Sequence, residues 1–264
     1  MYEYIIPVVG ISLIFICTTL GALFVFFFHK KEISNKLNQI FIGFAAGIMV
    51  SASFFSLILP ALDIDVEYMP NWVIVFISIV LGAFFLWIID KFVPHFHVAS
   101  NEEEGIHNHI AKKYKMFLAV TIHNIPEGLS VGIAFGVALA SGVDTKSMLM
   151  SALFLSIGIG LQNIPEGAVV SLPLKAETKS STKAFLFGMF SGIVEPIAAI
   201  IGLLLAYKIE CVMPWALAFA AGSMLYVVVE EMIPESNTNG NNHFGVWAFI
   251  LGFVIMMALD LISI

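Results

Sequence analysis

Two hexapeptides, HNIPEG at 123–128 and QNIPEG at 162–167, agree at five of six positions. Each sets a polar residue four places before a glutamate: His123 before Glu127, and Gln162 before Glu166. On a helix, residues i and i+4 project about 40° apart, so each pair shares one face. Asn124 and Asn163 turn by about 100° from their neighbours and widen that face. Pro126 and Pro165 lack a backbone N–H, and each is expected to kink its helix and free the carbonyl of Ile122 or Leu161. Each motif therefore offers carboxylate, amide and carbonyl oxygens together, with an imidazole added in the first. Two such faces opposed across a bundle would make a cation site. Carboxylate with imidazole suits zinc and other first-row divalent metals. Glu195-Pro196 supplies a third acid beside another proline, and Met49 could add a soft thioether.

The elements that must carry these groups are membrane helices. Of the 264 residues, 59% are hydrophobic and 12% charged, where a soluble domain carries about 25% charge. A span needs roughly 20 apolar residues, and eight stretches qualify: Ile5–Phe28, Leu37–Leu62, Trp72–Ile89, Met116–Ala140, Met148–Leu174, Ala184–Tyr207, Met213–Val229 and Phe244–Ile264. The expected fold is one all-α transmembrane domain over residues 1–264. Glu127, Glu166 and Glu195 then lie deep in spans four, five and six, where an acid costs at least ~2.5 kcal/mol and marks function by default. Phe44–Met49 in span two matches Phe219–Met224 in span seven at five of six positions. The two spans run in opposite senses, so the match predicts an inverted repeat of spans one to three against six to eight around the motif-bearing spans.

Ten of the twelve lysines fall in or beside the odd-numbered loops. The positive-inside rule makes that side cytoplasmic and leaves both termini outside. The amino terminus lacks the basic start of a secretory signal. A net charge of −7 without any arginine argues against nucleic acid as a partner. Neither a phosphate-binding glycine loop nor a His-Glu-x-x-His protease signature occurs, which argues against ATP drive and zinc proteolysis.

With these motifs the chain resembles the ZIP family of divalent metal transporters, through HNIPEG at 123–128, QNIPEG at 162–167 and SGIVEP at 191–196. The likeness covers nearly the whole chain. It implies a two-metal site, with His123, Glu127, Gln162 and Glu166 holding one ion near Met49. Asn124, Asn163 and Glu195 would hold the second, with the two motif glutamates bridging. It implies a transporter rather than an enzyme, a multi-pass protein of the cell (inner or plasma) membrane, and a homodimer. Zinc is the first expectation as cargo, with cadmium, iron and manganese open; no cofactor is implied beyond the ions carried. Gln162 departs from the histidine of many relatives, and Met49 and Ser56 stand on span two without the histidine of many eukaryotic members, which points to the bacterial branch. The alternative from another class is a membrane-embedded metal-dependent hydrolase.

Residues 94–114 form a His-rich loop on the lysine side, with His95, His97, His107 and His109 beside Glu102, Glu103 and Glu104. It reads either as a metal-collecting segment or as a plain linker. Asp63, Asp65 and Glu67 read first as a simply solvated loop, with cation attraction to the opposite mouth as the alternative. Glu230 and Glu231 either join the exit path or mark the interface. Asp90 and Asp260 at span ends are expected to be interfacial.

Overall fold

The computed structural model describes residues 2–27, 34–64, 66–93, 95–96, 103–104, 112–140, 142, 145–208, 210–237 and 243–263. Eight helices in it are long and apolar enough to cross a membrane. They are α1 (Tyr2–Phe27), α2 (Asn35–Asp63), α3 (Asn71–Phe92), α4 (Lys112–Ala140), α5 (Thr145–Thr178), α6 (Ser181–Tyr207), α7 (Met213–Ser236) and α8 (Phe244–Ser263). The chain is an all-α, eight-span membrane protein. Its only described non-helical elements are two short antiparallel strands, β1 (His95–Phe96) and β2 (Glu103–Glu104), with His95 opposite Glu104. Asp65, Glu102, His97, His107 and His109 lie outside the described residues.

Local chemistry sets the helix ends and irregularities. The Ser34 hydroxyl caps α2 by accepting from the Leu37 N–H, and Ser180 caps α6 by accepting from Lys183. Lys179 turns the chain between α5 and α6 in a left-handed conformation, φ 54°. Helices α4 and α5 continue through Pro126 and Pro165 without the interruption the prolines suggest. The break comes instead in α6 at Gly192 and Ile193, and Pro196 is tolerated because it lies in the first turn after it. Two wider π-turns interrupt α2 at Ser53–Ile58 and α7 at Val228–Met232. Each ends two residues before a proline, Pro60 or Pro234, whose missing donor removes one rung of the normal ladder.

The packing shows the inverted repeat. Helix α1 packs most extensively on α5, α4 on α6, α2 on α8 and α3 on α7. Exchanging α1 with α6, α2 with α7, α3 with α8 and α4 with α5 maps this set onto itself. The correspondence reaches individual residues. A β-carbon on Gly47 would stand 2.0 Å from the Phe249 carbonyl oxygen, and one on its counterpart Gly222 would stand 2.1 Å from that of Ile79. In return, Gly252 meets the Phe44 carbonyl and Gly82 that of Phe219, the residues that open the two matching hexapeptides. Small residues let these backbones touch, as membrane helices require where burial of apolar surface drives little association.

Candidate metal centre

The last residue of each hexapeptide fixes where its helix is crossed. A β-carbon on Gly128 would lie 2.2 Å from the Glu195 carbonyl oxygen, and one on Gly167 would lie 2.3 Å from that of Thr18. Only glycine allows α4 to touch α6, and α5 to touch α1, at these points. The motif side chains are thereby brought face to face in the middle of the bundle.

They form two adjoining groups. In the first, Asn124 and Asn163 converge on Glu195, which is fully buried. The Asn124 amide donates to Glu195 Oε1 at 3.0 Å, the Asn163 amide to Oε2 at 2.9 Å, and the Thr18 hydroxyl to Oε1 at 2.6 Å. In the second, His123, Glu127, Glu166 and Met49 line one cavity of about 90 Å³. Gln162 joins this group by donating its amide to Glu127 Oε1 at 2.7 Å. The cavity extends past Glu231 toward Phe41 and Glu235, at the end of the bundle next to the lysine-bearing first loop. His123 Nε2 lies 2.7 Å from Glu231 Oε1, so the imidazole is turned toward α7. Among the described residues, no three His, Cys, Asp or Glu side chains already stand as one ion-holding group.

Within these two groups the buried atoms left without a hydrogen bond are all of one kind. Glu127 Oε2, Gln162 Oε1, Asn124 Oδ1 and Asn163 Oδ1 are buried and receive no hydrogen bond. All four atoms are acceptors. Buried acceptors without donors are costly and rare, and a cation is the species that would satisfy them together.

Other residues singled out in the sequence also find places. Asp90 and Asp260 lie near span ends, as expected, and are buried there at 5% and 8% exposure, with Asp260 accepting from the Ser56 hydroxyl at 2.5 Å. Ser56, Asp63 and Asp260 line a separate cavity of about 440 Å³ at the opposite end from Glu231. Of the two acids left open on α7, Glu231 lines the first cavity while Glu230 is exposed. Thr18 went unnoticed because a lone threonine in an apolar span carries no motif.

An inverted repeat enclosing acids, amides and an imidazole at mid-membrane depth is the build of a membrane transporter. The family model described as ZIP Zinc transporter matches residues 4–117 and 99–260, and the chain belongs to that family. It is 32% identical to a protein named Zinc transporter ZIP11 from Bos taurus, over 92% of this chain and 93% of the relative. It is 34% identical to Zinc transporter GufA from Myxococcus xanthus, with the same coverages of 92% and 93%. Zinc transporter ZIPB from Bordetella bronchiseptica is 32% identical, over 93% of this chain and 77% of its own. Bacterial and animal relatives both occur.

Proposed function

We propose that this metal-ion transporter takes up divalent transition-metal cations, zinc first, through two adjacent ion positions at mid-membrane. The observation that carries the proposal is the set of four buried acceptor oxygens without donors around Glu127 and Glu195. His123, Glu127, Gln162 and Glu166 would hold one ion, with Met49 on the cavity wall. Asn124, Asn163 and Glu195 would hold the second, with Glu127 and Glu166 shared. The carboxylates would offset the charge of the ions, and the ions would offset the cost of burying the acids. Cadmium, iron and manganese remain candidate cargo beside zinc.

Glu231 gives the ion a way out. It already engages His123, so it competes with the ion for the imidazole on the side where the cavity extends. A site that holds and never releases does not conduct. The lysine-bearing end is assigned to the cytoplasm, with both termini outside, the protein in the cell membrane as a homodimer, and residues 94–114 as a cytoplasmic loop.

Uptake of zinc into proteoliposomes, with cadmium, iron, manganese and cobalt as competitors, tests the cargo. Vesicles that take up none of these ions would overturn the proposal. The orientation has its own test. A cysteine beside Lys179 should be shielded from impermeant reagents in intact cells, and labelling there would reverse the assignment.

A further inference from the structure

Thr18 lies midway along α1, a helix with no residue among the expected ligands. It is 2% exposed. A threonine inside a helix commonly returns its proton to the carbonyl four residues back, and Thr19 does so to Phe15 at 2.9 Å. Thr18 divides its proton differently. Its bond to the Ile14 carbonyl is 3.2 Å long, while that to Glu195 Oε1 is 2.6 Å, as expected for a hydroxyl on a carboxylate.

The Thr18 hydroxyl oxygen in turn accepts from Asn163 Nδ2 at 3.1 Å. That nitrogen also faces Glu195 Oε2 at 2.9 Å and the Ile14 carbonyl at 3.5 Å. The Ile14 carbonyl can only accept, so the amide must present its nitrogen on that side. Its oxygen is therefore left buried and without a donor. Thr18 itself is held in place, because its carbonyl abuts Gly167 and its methyl would lie 2.8 Å from a β-carbon on Gly192.

The internal symmetry makes the pair more telling. Thr18 and Glu195 are counterparts, each presenting its carbonyl to the closing glycine of one motif. One half of the repeat supplies the acid and the other half a hydroxyl that restrains it. We infer that Thr18 is a positioning residue for the second ion position, fixing the Glu195 carboxylate and the orientation of the Asn163 amide. It presents Asn163 Oδ1 and the carboxylate to a cation bound through oxygen, a donor set that suits the harder divalent ions. The inference rests on the cation-site reading above.

The test uses the full chain in detergent, titrated calorimetrically with manganese and with cadmium, beside uptake by reconstituted vesicles. Thr18→Val keeps the shape and removes the hydroxyl; Thr18→Ser keeps the hydroxyl. Thr18→Val should weaken manganese binding about tenfold, the loss expected for one hydrogen bond to a charged group, and raise the half-saturation concentration with little change in maximal rate. Thr18→Ser should stay within about twofold of the parent. Visible spectra of the cobalt-loaded proteins should differ between parent and Thr18→Val, a change in ligand geometry that altered packing remote from the ion would not produce. Titrations of parent and Thr18→Val that overlay would overturn the inference, as would a Thr18→Ser protein as weak as Thr18→Val. Glu127→Ala separates the two levels. If it binds ions as the parent does, the cation-site reading falls; if it is inert while Thr18→Val is normal, only the role of Thr18 falls.

Discussion

The motif on α4 and the motif on α5 share their backbone surroundings and differ in what their first residue does. Their asparagines both donate to Glu195, at 3.0 Å and 2.9 Å, and their glycines both meet a carbonyl from a crossing helix. Their first residues part company. His123 reaches out of the motif to Glu231 on α7, while Gln162 is fully buried and donates inward to Glu127. The residues common to both motifs hold the twofold framework together, and the residue that differs gives the site a direction. An ion would meet a carboxamide on one side and, on the other, an imidazole already engaged by Glu231.

The comparison can be broken first at its shared acids. If the ions lie between the motifs, Glu127→Ala and Glu166→Ala should each abolish zinc uptake while the protein still inserts. Full uptake by a folded Glu127→Ala protein would show that α4 lacks the function given to it. The glycines come next. Gly128→Ala and Gly167→Ala each force a β-carbon against a carbonyl, at 2.2 Å and 2.3 Å. Overpacking of this kind costs about 1–3 kcal/mol or more, and thermal unfolding in detergent should show similar losses for the two. A large loss for one alone would mean that the twofold does not extend to the motif crossings. A smaller effect is expected at Glu231→Ala. With its competitor gone, His123 should hold zinc longer, so half-saturation should fall and the maximal rate drop several-fold. A rate equal to the parent's would remove Glu231 from the exit path.

How much of this the sequence carried depends on how far each feature lies from a local pattern. All eight spans were legible, because membrane crossing imposes a length of apolar residues that few other demands mimic. The structure mainly extends them, carrying α7 on to Ser236 so that Glu231 and Glu235 are helical. The repeat was legible because its glycines must recur wherever backbones touch, as Gly47 and Gly222 do. The π-turns were not, although Pro60 and Pro234 were the local signal for them. Asp90 and Asp260 were placed at span ends by the sequence, but their burial comes from packing and carries no local pattern. Thr18 was beyond reach: its importance comes from Glu195, which is 177 positions away and meets it only through packing.

The finest test of the comparison is to make the two motifs alike. Gln162 puts a neutral carboxamide where His123 puts an imidazole, and its Oε1 is buried without a donor. Imidazole binds zinc at about 2.0–2.1 Å as a common strong ligand, whereas an amide oxygen is a harder donor better matched to manganese. Gln162→His should therefore tighten zinc binding at the first position. The substitution also removes the amide that donates to Glu127 Oε1 at 2.7 Å. A neutral imidazole can restore that bond through one nitrogen while offering the other to the ion. Faster transport does not follow, since an ion held more firmly leaves more slowly. The expected outcome is a lower half-saturation concentration for zinc by a few-fold, an unchanged or reduced maximal rate, and weaker competition by manganese. Uptake curves for both metals, measured on both proteins, decide the matter. Curves that overlay would mean that Gln162 packs against Glu127 without touching the ion, and that the two motifs differ less in chemistry than in residue name.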